Sequence, residues 1–173
     1  MYRFHSLVML VFVLLMAFAS QILWAQEASM AEKNKAAARR IPVEMINQGK
    51  LDVVGEIISE NFVNHSPPPG IAAKGHAAIT ELFTMLRTAF PDIQITLDHE
   101  IAEGDYVVHH ATVTGTHKGD FMGHAATDKK ATWKEIHILQ FEDGKAVAHW
   151  GLVDMMGLMM QLGVMPQPEM TKK

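Results

Sequence analysis

Hydrophobic and polar positions follow three successive patterns along this chain. Leu7 to Ala19 is almost wholly apolar, with Ser6 before it and Ser20 after it. Between Glu27 and Phe90 the apolar residues recur mostly at helical spacing, and from Ile93 to Val153 they alternate with polar ones. A period near 3.6 marks an amphipathic helix and a period of two marks a half-buried strand.

The first pattern reads as a secretory signal peptide. Met1 to Arg3 and His5 form a short polar start, and Ala17-Phe18-Ala19 and Leu23-Trp24-Ala25 supply small residues for cleavage. Such a run is short for a membrane span. The expectation is cleavage after Ala25, with residues 1–25 as signal peptide and 26–173 as a single domain. The competing reading is an uncleaved anchor. Cleavage implies an exported protein, periplasmic or secreted, with no stable membrane anchor afterwards.

Within the domain, Glu27 to about Asn47 predicts a helix that Pro42 kinks or breaks. Leu51 to Ile58 suits a short second helix, and Asn61 to His65 a short extended segment running into the Ser66-Pro67-Pro68-Pro69-Gly70 loop. Gly75 to Phe90 carries Ile79, Leu82, Phe83, Leu86 and Phe90 on one stripe, and Pro91 stops it. Four strands follow: Ile93–Ile101, Tyr106–Thr116, Ala131–Phe141 and Ala146–Val153. Tight turns at Glu103-Gly104-Asp105 and Glu142-Asp143-Gly144-Lys145 join them in pairs, around a long loop from His117 to Lys130. A last helix, Met155 to Leu162, is closed by Gly163. Helices first and a strand meander afterwards predict an α+β domain, its helices packed on one face of a curved antiparallel sheet around a conical cavity.

Composition narrows the function. With 173 residues the chain can bury a core without staples. It has no cysteine, which removes disulfides, thiolate catalysis and cysteine metal sites. The formal charge is −4, and cleavage would remove Arg3 and no carboxylate, so a nucleic-acid partner is not expected. Lys33, Lys35, Arg39 and Arg40 alternate with Ala and read as a solvated helix face. No P-loop, dinucleotide fingerprint or Gly-x-Ser-x-Gly elbow is present.

Three places could carry chemistry. Asp154 lies where an apolar strand gives way to a Met- and Leu-rich helix. It reads either as a general base whose pKa is raised by apolar surroundings or as the N-cap of that helix. In the third long strand, alternation puts Trp133, Glu135, His137, Leu139 and Phe141 on one face and Lys134, Ile136, Ile138 and Gln140 on the other. Polar groups among aromatics suit a small-molecule pocket, against the alternative of a solvated Glu–His pair. Asn64 and His65 precede the Pro-rich loop, and one of the two can point into the cavity. Ten histidines invite a metal reading, with Glu135 and two imidazoles as a facial triad, but no His-Glu-x-x-His or His-x-His spacing supports one. No metal and no cofactor is expected. The methionines at 155, 156, 159, 160 and 165 read as adaptable packing at the cavity mouth or a subunit contact.

A set of motifs spread over the whole domain points further. Phe62-Val63-Asn64-His65 stands before the Pro-rich loop, and Gly75-His76 opens a helix ending Ala89-Phe90-Pro91-Asp92. Then come Ala102-Glu103-Gly104-Asp105-Tyr106-Val107-Val108 and Thr114-Gly115-Thr116-His117-Lys118-Gly119. Glu142-Asp143-Gly144-Lys145 and His149-Trp150-Gly151-Leu152-Val153-Asp154 through Gln161-Leu162-Gly163 complete the series. In order and spacing the stretch from Ala36 to Val164 resembles the SnoaL-like polyketide (ester) cyclases of the NTF2-like superfamily. That resemblance implies a cone-shaped α+β barrel and an intramolecular aldol ring closure without metal or cofactor. It matches the family's acid/base Asp to Asp154, an inward His to His137, and supporting residues to Glu135 and Asn64, with His65 beside them. Trp133, from the alternation, and Trp150 are expected as further substrate contacts. It also departs from the family, because Glu135 stands where a neutral amide can occur. The resemblance further implies a homodimer acting on a small apolar carbonyl compound. The alternative is an exported, non-catalytic carrier for such a ligand.

Overall fold

The α-helical ladder stops just before Pro42, but the chain stays helical. In the computed structural model, which describes residues 2–166, helix α1 runs Tyr2–Arg40 and passes directly into a π-helical turn, Ile41–Asn47, with Pro42 in its first positions. Proline cannot donate an i→i−4 bond, and the wider π turn takes up its ring without terminating the rod. A 3₁₀ turn at Leu51–Val53 and the short helix α2, Val54–Ile57, lead into strand β1, Ile58–Asn64. Helix α3 spans Gly75–Ala89 and buries Ala78, Ile79 and Phe83. Strands β2 (Gln94–Glu103), β3 (Tyr106–Thr116), β4 (Lys130–Glu142) and β5 (Lys145–Val153) follow, and helix α4, Met155–Leu162, closes on Gly163 at φ 75°.

The five strands form one sheet in the order β1-β5-β4-β3-β2. β2 to β5 are antiparallel neighbours, as the meander predicts, but β1 joins the edge parallel to β5. The parallel edge arises because the chain leaves β1 through α3 and three strands before β5 returns beside it. Register shifts at Leu97/His99 and Gln140/Phe141 mark bulges, which bend and twist a sheet. The bent sheet encloses the π turn, α3 and α4. Met45, Phe90, Ile93, Phe141, Leu158 and Leu162 are all at or below 2% exposure in this enclosed core. The outer face is different: Ile136, Ile138 and Leu152 lie exposed on it.

Asn47 joins the π turn to the sheet by both ends of its amide, donating to the Ile95 carbonyl at 2.9 Å and accepting from the Ile95 N–H at 2.7 Å. At the same end of this strand pair, Asp92 caps β3 by accepting from the Thr116 N–H and hydroxyl. These bonds hold its carboxyl below the usual carboxylate range.

Candidate active site

Between the concave sheet and the helices lies a cavity of about 180 Å³. Its walls are mostly Ile, Leu, Phe and Met side chains, including Ile79 and Phe83 of α3 and Leu158 of α4. Polar side chains reach it from the strands: Asn64 from β1, His109 from β3, Glu135 and His137 from β4, and His149 from β5. Trp133 lines it as well. Apolar walls with a few convergent polar groups are the usual make-up of a small-molecule site. The alternation read from β4 therefore places its residues correctly, with Trp133, Glu135, His137 and Leu139 inward and Ile136 and Ile138 outward.

The polar groups form one continuous row. The Trp133 indole N–H donates to Glu135 Oε1 at 2.7 Å, and Glu135 Oε2 lies 2.8 Å from His137 Nε2. His137 Nδ1 is 2.9 Å from His149 Nε2, and His149 Nδ1 is 2.9 Å from Asn64 Oδ1. The Ser66 N–H also donates to that amide oxygen at 2.9 Å. Asn64 is buried and Glu135 nearly so, while His137 keeps about a quarter of its side chain open. Gly151 makes the imidazole contact possible. A Cβ there would sit 2.9 Å from His149 Cε1 and 3.1 Å from His137 Nδ1, closer than the rings allow.

A second pair supports His109. Its Nε2 lies 2.9 Å from Glu100 Oε2, and Arg39 at the end of α1 pairs with Glu100 Oε1 at 2.6 Å. Burial lowers the His109 pKa more than the Glu100 charge raises it, so the ring favours its neutral form. His149 is pushed down further, to about 3, first by burial and then by the nearby charges of His137 and His65. The sign of the consequence follows. An unfolded His149 binds a proton below 6.5 and the native one stays neutral down to about 3, so across that window stability falls as pH falls. Above 6.5 the contribution is constant. The unfolding free energy of the wild type, from denaturant titration, should therefore drop more steeply than that of His149→Phe between about pH 6.5 and 5, by up to ~1.4 kcal/mol per pH unit. Parallel profiles for the two proteins would refute a neutral buried ring.

Three of the residues read from the sequence lie elsewhere. Asp154 is exposed and caps α4, its Oδ1 accepting from the Gly157 N–H at 2.9 Å. The burial expected for a general base is missing there, and the unpaired N–H groups at the helix start draw the carboxylate instead. His65 and Trp150 stack on each other, with ring centroids 4.6 Å apart and planes 4° apart, and neither lines the cavity. Asn64 and His149 take the inward positions, and the residue that follows each in the chain points outward. The sequence reading passed over His149, Gly151 and His109 as parts of the site. Alternation along β3 is the signal that holds His109, whereas the inward turn of His149 and Gly151 depends on the register of β5 against β4.

Residues 36–162 match the family model for SnoaL-like polyketide cyclases. The chain belongs to that family. As a SnoaL-like protein it is 31% identical over 134 residues to the aklanonic acid methyl ester cyclase DnrD of Streptomyces peucetius, a match covering 73% of this chain and 90% of the relative. The nogalonic acid methyl ester cyclase of Streptomyces nogalater is 27% identical over 122 residues, covering 70% and 91%. Among solved structures, AclR of Streptomyces galilaeus, named as a hydroxylase, superposes with a TM-score of 0.69 at 31% identity over 79% of this chain and 85% of its own. TsrD of Streptomyces laurentii gives a TM-score of 0.71 at 23% identity over 78% and 97%, a likeness of fold alone. The SnoaL-like architecture is the NTF2-like cone expected from the sequence.

Proposed function

We propose that this protein is a cofactor-independent cyclase whose acid/base group is the Glu135–His137 pair, acting on a small carbonyl compound of the polyketide ester kind. The observation that carries this reading is the pair itself. A carboxylate and an imidazole in contact at 2.8 Å line an otherwise apolar cavity. Their chemistry suits a carbon acid. Glu135 takes a proton from the carbon beside a carbonyl, and His137 hydrogen-bonds the oxygen on which negative charge develops. Membership of the family and the ester cyclases among its relatives support the same substrate class.

The direct test is incubation with aklanonic acid methyl ester and nogalonic acid methyl ester, followed by chromatography and mass spectrometry. Cyclisation yields an isomer of unchanged mass. Addition of one oxygen would instead favour the hydroxylase reading that the name of AclR suggests for that relative. Saturable binding with both esters unchanged would favour a carrier. In this scheme Asp154 stabilises α4 and takes no part in chemistry. Asp154→Ala should cost about 1 kcal/mol of stability and leave the cyclisation rate unchanged. A large loss of turnover at unchanged fold would return Asp154 to the reaction.

Export and pairing belong to the same proposal. Leu14, Leu15, Met16, Phe18, Leu23 and Trp24 are all exposed on α1, as suits a segment read by an export machinery and removed. Among the described residues no helix is long and apolar enough to cross a membrane. The N-terminal sequence of the exported protein checks cleavage after Ala25. On the outer sheet face, Val108, Ile138 and Trp150 lie in one cross-strand row, and Ile136 and Leu152 in the next. Such an apolar patch fits a second copy of this chain. Ile138→Lys should convert a dimer into a monomer in light scattering after gel filtration, and a wild-type monomer would end this part of the proposal.

A further inference from the structure

The row of hydrogen bonds from Ser66 to Glu135 has a direction, and the direction fixes how many protons it carries. A backbone N–H can only donate, so the Asn64 atom that receives Ser66 N–H is the amide oxygen. His149 Nδ1 faces that same oxygen and must therefore carry a proton. The next two contacts, His149 Nε2 to His137 Nδ1 and His137 Nε2 to Glu135 Oε2, each join two atoms that bond only with one proton between them. Glu135, His137 and His149 together then hold three protons, one more than a carboxylate and two neutral imidazoles possess. The row is neutral and contains one mobile proton. With the His149 ring held neutral by burial, His137 Nδ1 is the donor of the middle contact, and the mobile proton resides in the last one.

We propose that Asn64 and His149 are positioning residues, which through this oriented row keep a single exchangeable proton between Glu135 and His137, with Gly151 leaving the space in which the two rings meet. The inference rests on the reading of Glu135–His137 as the acid/base pair. It adds that the pair begins each turnover as carboxylate and imidazolium, not as carboxylate and neutral imidazole. A neutral His137 with its Nδ1 proton committed would set a bare Nε2 against a carboxylate oxygen at 2.8 Å, which both lone pairs oppose.

The one-proton pair balances an aldol closure without outside help. In enolisation the C–H bond beside the carbonyl breaks, its proton goes to Glu135, and the electron pair forms the C=C bond. The carbonyl oxygen takes the Nε2 proton of His137. The pair still holds one proton, now on Glu135. In ring closure the enol carbon bonds to the second carbonyl carbon. The enol O–H returns its proton to His137 Nε2, and the new alkoxide takes the proton from Glu135. Both steps leave the number of protons in the row unchanged.

The test reads ring nitrogens and needs no substrate. In the full-length protein as purified, labelled with ¹⁵N-histidine, long-range ¹H–¹⁵N correlation should show His149 protonated at Nδ1 and bare at Nε2, and His137 protonated at Nδ1, from about pH 6 to 8. Asn64→Leu removes the acceptor and should turn His149 to its Nε2–H form, with His137 Nδ1 bare. Asn64→Asp restores an acceptor and should restore the wild-type pattern at His149. With aklanonic acid methyl ester as probe, Asn64→Leu should lose about 10²-fold or more in kcat at little change in KM, as expected when a catalytic imidazole is left in the wrong tautomer. A wild-type His149 protonated at Nε2 and bare at Nδ1 would overturn the proposal even if Asn64→Leu fails to fold. Unchanged tautomers in a folded Asn64→Leu would overturn it as well. Rings as stated with no turnover of either ester would instead leave the row standing and count against the cyclase reading.

Discussion

Glu135→Gln should lower the cyclisation rate by about 10²–10⁴-fold while leaving fold and substrate affinity nearly intact, because it removes the proton acceptor and almost nothing else. Glutamine has the same shape as glutamate. Its amide oxygen can still receive the Trp133 indole N–H, and its NH₂ can donate to His137 Nε2, so neither contact at 2.7 and 2.8 Å has to break. What disappears is the exchangeable proton, since an amide neither accepts one from a carbon acid nor releases one to an alkoxide at neutral pH. The measurement is kcat and KM on aklanonic acid methyl ester, with a thermal melt as control. A fall in kcat at constant KM marks an interaction made in the transition state. Turnover within about twofold of wild type would remove Glu135 from the mechanism. An equal loss in His137→Gln, with no further loss in the double variant, would show that the two act as one unit.

Phe90→Ala should destabilise the domain by about 3–5 kcal/mol, a large part of what holds a domain of this size together. Phe90 is fully buried at the end of α3, where its ring meets Phe121 edge-on at 5.1 Å, Trp133 at 5.4 Å and His117 at 5.4 Å. Gly115 in β3 allows this approach, since a Cβ there would lie 3.1 Å from Phe90 Cβ. Truncation leaves a hole bounded by two rings of the β3–β4 loop and one of β4, which cannot all collapse into it. Two of those rings, Phe121 and Trp133, also line the cavity, so the loss extends to the indole that bonds Glu135. The denaturant midpoint checks the stability, and a change below about 1 kcal/mol would mean that the core closes around the gap. Phe90→Leu keeps most of the volume and should cost far less.

Much of this protein was legible in the order of its residues. The stripe on Gly75–Phe90, the two Gly-containing hairpin turns and the alternation along β4 are local signals, each set by geometry within a few residues. They place α3, β2 to β5 and the inward group Trp133, Glu135 and His137. Gly163 and Asp154 at the ends of α4 are local signals as well, and of the two readings open for Asp154 the helix cap is the one that its exposure supports.

The face of β5 was not legible in the same way. Counting back from the hairpin pair Glu142–Lys145 in an unbroken ladder sets Trp150 opposite His137, on the inner face. The bulge at Gln140/Phe141 shifts the pairing by one residue, so that His137 lies opposite Gly151 and Trp150 pairs with Ile138 on the outside. With a period of two, one extra residue turns every later side chain to the other face. That single slip brings His149 and Gly151 into the cavity and carries Trp150 out to stack on His65. The parallel pairing of β1 with β5 then sets Asn64 beside His149 across 85 positions of chain. Local residue order sets most of the elements and the chemistry available to them, although the helix expected over Leu51–Ile58 is divided between a 3₁₀ turn, α2 and the start of β1. Which imidazole meets which carboxylate was decided by the tertiary structure, because register and bulges depend on hydrogen bonds between strands that no local pattern records.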